Sequence, residues 1–414
     1  MLIRHAGALL RRAFGSLAIL WLASSLAHSN PAKRSDKPPD LLVAIGDVHG
    51  DFDDLCLLLK KVGLVDAQRH WTGGNTTLVQ IGDLIDRGPK GREVMDLVIS
   101  LEREATKAGG QVLPLLGNHE VMNILGDLRY VPPENYRAFA DGESEKRRKA
   151  AYLEYATWYA SHRELLAGLN QTVLPATEEE WMARHPAGFL EYREAMSPDG
   201  NYGKWLRQHA AVAKIGGVIF LHGGIHPNLI SLKLEQINSQ VHAEIEEFDK
   251  TKQYLMSRKL MLPFFTIQEI SVAAQAQLMA ERATEMQPKA EYQAMLVRLL
   301  GFGNWLCMRD DGPLWFRGYD QWSEEEGTQI EKVLEAYDAK HVVVGHTVQK
   351  TAHIRSRFGG KIFLIDTGML STYWRGGRAS ALEIRAGRTF NAEYLDGQEP
   401  MFEEKALPSV GKEN

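Results

Sequence analysis

Three short stretches concentrate side chains able to do chemistry. They are Gly46-Asp47-Val48-His49-Gly50, Gly82-Asp83-Leu84-Ile85-Asp86-Arg87-Gly88 and Gly117-Asn118-His119-Glu120. Later come His222, in His-Gly-Gly, and His346, in Gly-His. Carboxylates, imidazoles and an amide oxygen are the donors that a hard or borderline divalent cation takes. Asp47, His49, Asp83, Asn118, His222 and His346 are therefore candidate metal ligands. A single carboxylate such as Asp83 can bridge two ions. Two ions ~3.5–4 Å apart clamp a phosphoryl group and lower the pKa of a bound water. His119 adjoins a ligand without being needed as one, which suits a general acid that protonates a leaving alkoxide. Asp86 can orient that imidazole and keep it protonated. Arg87 offers a planar fork to phosphate oxygens, beside Asn118. Arg317, in the loop-like GPLWFRG, can present a second fork. Arg207, in GKWLRQH, is read either as a substrate contact or as a surface residue.

Each group sits where an apolar run stops. LLVAI runs into GDVHG, TTLVQI into GDLIDRG, QVLPLL into GNHE and GGVIFL into HGG. HVVVGH ends in a histidine, and KIFLID runs into TGML. Short runs rich in Val, Ile and Leu read as strands buried on both faces. Ligands of layered α/β proteins sit outside the carboxyl ends of such strands, so the polar clusters should meet on one rim. Asp47 and His49, two apart on an extended strand end, would point the same way. Gly46, Gly50, Gly82 and Gly117 suit tight turns and close backbone approach there. Helical patterns lie between the runs, as in DFDDLCLLLKKVGL, REVMDLVISLEREATKAGG and SEEEGTQIEKVLEAYDAK. The stretches 135–210 and 232–300 also look mostly helical and read as insertions or covers over the rim.

The chain has 414 residues, 44% apolar and 24% charged, with a formal net charge of -5. That balance fits a globular protein with a substantial core and gives no reason to expect a nucleic acid as partner. Cys56 and Cys307 are far apart, without metal-like spacing, and read as unpaired thiols. Residues 1–29 have a basic start, the apolar stretch SLAILWLASSLA and small residues after it. They read as a signal peptide directing the chain to the secretory pathway (endoplasmic reticulum), the periplasm or export. A mitochondrial presequence is the alternative, and no stable membrane span is expected after processing, because the apolar stretch is short of the ~20 residues that cross a bilayer. Residues 30–40 read as a linker, 41–400 as the catalytic domain and 401–414 as a flexible tail. Asn75 and Asn170 open glycosylation sequons.

Taken in order, GDVHG, GDLIDRG, GNHE, HGG and the late GH resemble the signature of the phosphoprotein phosphatase (PPP) family of metallophosphoesterases. GNHEVMNILGDLRYV, HGGIHP, GPLWFRG, VVVGHT and IDTGM look like its Shewanella-like branch. The resemblance covers residues 41 to about 390 and implies an α/β, calcineurin-like metallophosphoesterase fold, a central β-sandwich flanked by helices with helical insertions. It implies a first metal on Asp47, His49 and Asp83, and a second on Asp83, Asn118, His222 and His346. His119 with Asp86 would be the proton donor, and Arg87 and Arg317 would bind phosphate. Two manganese ions, or iron with zinc, suit this set. The expected activity is hydrolysis of phosphoserine and phosphothreonine in phosphoprotein substrates, by direct attack of a water held between the ions. Phosphotyrosine or a dinucleoside polyphosphate on the same site is the alternative, and a non-catalytic binding protein is another. The SAPNY motif of the eukaryotic serine/threonine enzymes, and the tyrosine it contributes, is not found.

Overall fold

The computed structural model describes residues 38–169, 174–283 and 290–404. The targeting segment, most of the linker and the sequon at Asn170 lie outside the described residues. Asn75 is exposed. No helix among the described residues is long and apolar enough to cross a membrane.

The apolar runs form strands where expected: β1 (Leu41–Ile45), β2 (Thr77–Gln80), β3 (Gln111–Pro114), β5 (Val218–Leu221), β6 (His341–Val344) and β8 (Ile362–Leu364). Around them lie β4 (Val212–Ile215), β7 (Arg355–Arg357), β9 (Ser380–Arg385), β10 (Thr389–Tyr394) and β11 (Gly397–Glu403). One sheet has the order β11-β10-β9-β1-β2-β3, and the other β4-β5-β6-β8-β7. β1, β2 and β3 are parallel to one another, as are β5, β6 and β8. Alternation along each strand explains the layering. Leu42, Ala44, Val79 and Ile81 join Phe220, Val343 and Phe363 in one apolar layer shared by the two sheets. Val43, Ile45 and Leu78 belong instead to the layer packed under the helices. Strands covered on both faces need apolar residues at every position, which is why they read as continuous runs.

Helix α1 (Phe52–Lys61) follows β1, α2 (Gly91–Lys107) follows β2, and α3 (Asn118–Leu125) follows β3. Asp51 caps α1 by accepting from the Asp54 amide at 3.2 Å. The acids in the first turn and Lys60 and Lys61 in the last suit its dipole. The stretches expected to be helical are so, including Ser144–Ser161, Phe189–Ala195, Leu234–Ser257 and Ile267–Ala283.

The expected tail begins too early. β11 runs on to Glu403, with Phe402 opposite Phe390. The Phe402 ring lies 5.8 Å from Phe390 and 5.2 Å from His341, so burial of an aromatic side chain holds the strand in place. Phe402→Ala is expected to lower unfolding free energy by about 2 kcal/mol, below a full core value because the ring is half-buried. Urea denaturation of the purified protein checks this.

Candidate active site

The loops after β1, β2 and β3 are joined to one another. The amides of Val48 and His49 both donate to the Asp83 carbonyl at 2.9 Å, and Gly50 donates to Leu84 at 2.9 Å. Asp83 Oδ1 accepts from the His119 amide at 3.1 Å. Glu120 ties the second and third loops: its carboxylate accepts from Asp83, Leu84 and Gly117 amides at 2.8, 2.9 and 2.9 Å. Gly82, at φ 98°, passes so close to Gly117 that a Cβ would lie 2.4 Å from its backbone. Positive φ recurs at His49 (50°), Asp83 (55°), Asp86 (71°), Arg87 (64°) and His346 (65°). Such backbone costs about 1–3 kcal/mol each and persists where surrounding bonds over-determine it. The expectation that Asp47 and His49 lie on an extended strand end is therefore wrong. β1 stops at Ile45, and a left-handed turn at His49 aims the two side chains together.

The six expected ligands do converge, all buried. Asp83 is central. Its Oδ2 lies 3.6 Å from His49 Nε2, 3.3 Å from His222 Nε2 and 3.8 Å from His119 Nε2. Asp47 Oδ2 is 4.0 Å from His49 Nε2, and its Oδ1 accepts from the His346 amide at 3.0 Å. Asn118 Oδ1 is 2.8 Å from His222 Nε2. Two groups that could each hold an ion emerge: His49, Asp83 and His119, and Asp83, His222 and His346. Asp83 belongs to both.

The chemistry of this donor set fits a pair of cations. His49 and His222 place Nδ1 against the carbonyls of Ile85 (3.1 Å) and Ile81 (3.0 Å). A carbonyl there fixes the proton on Nδ1 and leaves Nε2 facing the centre, the nitrogen that would bind a cation. Among the described residues, the buried His346 Nε2 and Asp366 Oδ2 have no hydrogen-bond partner. Burial, then the neighbouring Asp366, holds the Asp47 pKa well above the carboxylate range. Burial also lifts Asp366 to about 6. Burial would raise Asp83 too, but His222, His119 and His49 outweigh it and hold it well below its usual value. Burial alone would depress His222, yet Asp83 and Asp47 push it up to about 9, whereas burial pulls His49 down to about 3. Added positive charge at this centre would relieve the crowded carboxylates.

His119 stands beside the cluster on the first turn of α3. Its Nδ1 pairs with Asp86 Oδ2 at 2.7 Å. Arg87 Nη2 lies 3.2 Å from its Nε2. Arg317 donates to the His346 carbonyl at 2.8 Å and to Thr347 Oγ1 at 3.0 Å. Both arginines line a cavity of about 480 Å³ that also exposes Asp47, His49, Asp83, Asn118 and His346. Its outer wall carries Tyr130, Trp315, Tyr373 and Trp374. The Arg87 guanidinium lies 3.8 Å from the Tyr373 ring centre and 5.4 Å from that of Tyr130. A tyrosine from the C-terminal part thus reaches the site without the SAPNY motif.

Of the two readings left open for Arg207, substrate contact is not what the structure shows: Arg207 does not line the cavity. Its guanidinium grips Asp249 at 2.8 and 2.9 Å and donates to the Met196 and Gly203 carbonyls, so it ties a short helix to a long one. The helical stretches do not cover the rim either. None of the residues lining the cavity comes from 135–210 or 232–300. Loops at 346–351 and 373–374 form the wall instead.

Residues 41–261 match the calcineurin-like phosphoesterase family, and the chain belongs to that family of metallophosphoesterases. Within it, similarity runs to the Shewanella-like protein phosphatases. The chain is 35% identical over 219 residues to Shewanella-like protein phosphatase 2 of Arabidopsis thaliana, covering 51% of this chain and 53% of that protein. It thus spans about half the length of that relative. Identity to Shewanella-like protein phosphatase 1 of Plasmodium berghei is 26% over 332 residues, covering 79% of this chain and 67% of that one. Among solved structures, a cold-active protein-tyrosine phosphatase of a psychrophilic Shewanella species matches at 25% identity and TM-score 0.55, covering 89% of this chain and 86% of that one.

Elemental analysis of manganese-loaded protein is expected to find two ions per chain, and Asp83→Asn is expected to lose both. Ion at a hundred-fold excess over Kd adds about 2.7 kcal/mol per site, seen as a higher Tm that chelator reverses. Arg207→Ala is expected to cost about 2 kcal/mol of stability, as for a charge-assisted bond, while leaving KM unchanged in steady-state assays.

Proposed function

We propose that the chain is a metal-dependent phosphoprotein phosphatase that hydrolyses phosphoserine and phosphothreonine monoesters. The observation that carries this is the meeting of two ligand clusters on Asp83, with His119 and two arginines around the same cavity. In this reading Asp47, His49 and Asp83 hold one ion, and Asp83, Asn118, His222 and His346 hold the other. When bound, the pair supplies an activated water for in-line attack and neutralises phosphoryl charge. Manganese, or iron with zinc, suits the set.

The chain's own residues do the rest. Arg87 and Arg317 hold non-bridging oxygens from two walls. The N-terminus of α3, at Asn118, adds its positive dipole end. His119 donates its Nε2 proton to the leaving oxygen, and Asp86 holds the ring by Nδ1. Burial works against a charged His119, but Asp83 and Asp86 outweigh it, which favours the acid form. Among the described residues lining the cavity there is no cysteine, so a cysteinyl-phosphate route has no nucleophile there.

Phosphotyrosine is the second reading. The rings of Tyr130, Trp315, Tyr373 and Trp374 around the cavity would pack well against an aryl ester. The solved Shewanella structure is that of a protein-tyrosine phosphatase.

Phosphate release with manganese, on matched phosphoserine, phosphothreonine and phosphotyrosine peptides and diadenosine tetraphosphate, tests both. Release from peptides, lost in Asp47→Asn, is expected, and their ranking sets the specificity. Release from the nucleotide alone would sink the protein-phosphatase reading. His119→Asn is expected to cut kcat on phosphoserine peptide by roughly 10²–10⁴ while keeping metal.

A further inference from the structure

A second line of hydrogen bonds leads away from the cavity behind His119. Asp86 is fully buried. Besides His119 it is met by Asn123, whose Nδ2 lies 3.0 Å from each carboxylate oxygen. The same Nδ2 is 2.9 Å from the His119 carbonyl. Tyr192 in turn donates its hydroxyl to Asn123 Oδ1 at 2.6 Å. A carboxamide has two N–H donors and one oxygen, and every one of them is used here. An acceptor-only carboxylate at one end and a hydroxyl donor at the other fix a single orientation. Turned round, Asn123 would present an oxygen to Asp86, and two acceptors would face each other in a dry pocket.

We propose that Asn123 and Tyr192 are positioning residues for proton delivery, so that Tyr192, Asn123, Asp86 and His119 form one chain that sets the aim of the His119 Nε2–H bond. This rests on the phosphatase reading of His119. As the P–O bond breaks, its electron pair stays on the ester oxygen, which takes the Nε2 proton. The imidazole is left neutral, keeping its Nδ1 proton and donating it to Asp86. A ring free to swing would miss that oxygen, and small misplacement of a catalytic group is costly.

The anchoring is firm at both ends. Asn123 lies one turn beyond His119 on α3, so the two share a face. Tyr192 belongs to the helix Phe189–Ala195, and its ring meets those of Tyr136 and Phe139 at 5.2 Å each. Gly188, which opens that helix at φ 89°, has no room for a Cβ, which would lie 1.8 Å from the Tyr136 carbonyl oxygen. The next residue, Arg193, donates to the carbonyls of Phe265 at 3.2 Å and Asn123 at 3.4 Å. The segment that the sequence suggested as a cover over the substrate is therefore a fixed post behind the acid.

The test compares leaving groups in the full-length, metal-loaded protein. An alkoxide needs a proton to leave, whereas p-nitrophenolate does not. Tyr192→Phe is expected to lower kcat on a phosphoserine peptide about ten-fold, and Asn123→Leu about a hundred-fold, within the range general-acid catalysis contributes. KM and metal content should hold, and p-nitrophenyl phosphate should change by less than about three-fold. Equal losses on both esters, or none on either, would overturn the proposal. A readout independent of turnover is hydrogen exchange at the His119 Nδ1–H, followed by NMR in zinc-loaded protein carrying ¹⁵N-histidine. Slow exchange in the parent and faster exchange in Tyr192→Phe, which removes one oxygen atom and is expected to fold, support the chain. Unchanged exchange overturns it even if the parent hydrolyses every ester. A parent protein inactive on both esters removes the phosphatase reading instead, and the exchange result still decides the hydrogen-bond chain.

Discussion

Crowding of buried like charges governs this molecule. Asp47, Asp83 and Asp366 are each at most 5% exposed, packed among the imidazoles of His49, His119, His222 and His346. Two unit charges 4 Å apart interact by about 4 kcal/mol at the effective dielectric of a protein. A domain has only about 5–15 kcal/mol of stability to set against such terms. Burial and then Asp366 raise Asp47, burial depresses His49 and His346, and Asp83 and Asp47 raise His222 against its burial. Cations held there would resolve this conflict and in the same act supply the charge that a phosphoryl group needs.

The sandwich exists to hold that conflict in place. β1, β2 and β3 bring Asp47, Asp83 and Asn118 from one sheet, and β5 and β6 bring His222 and His346 from the other. The left-handed turns that aim these side chains are uphill and are held by groups that do not line this cavity. Glu120 binds three amides, and Gln80 donates to the Gly46 and Gly82 carbonyls at 3.1 and 2.6 Å. Burial and Asp83 lift Glu120 itself to about 7, so its three N–H bonds keep a reluctant anion useful.

Much of this was legible in the sequence for one physical reason. A strand covered on both faces must be apolar, so a polar residue at its end stands out. That signal found Asp47, Asp83, Asn118, His222 and His346. It also lay open at Asp366, which ends KIFLID and reaches the cluster, and was not taken up there. Glu120 was visible as a letter in GNHE, but its partners are backbone amides, which every residue carries and no pattern reveals. Asn123 and Tyr192 meet across 69 positions and are each unremarkable alone. Arg207 stayed open between substrate contact and surface because a guanidinium reads alike whether it faces a phosphate or Asp249. β10 alternates in the ordinary antiparallel way, yet the boundary at 401 followed composition and missed the aromatic anchor of Phe402.

The bond between the His346 amide and Asp47 spans 299 positions, and β1 lies between β2 and β9. The first strand therefore emerges from the ribosome long before one of its two neighbours is synthesised. Until then it has an unpaired edge, the template on which strands of other chains add. Contacts this distant in sequence also form slowly. A nascent chain that has not reached His346 can assemble at most part of the ion-binding cluster, so full ion capture must wait until strands of both sheets have been made.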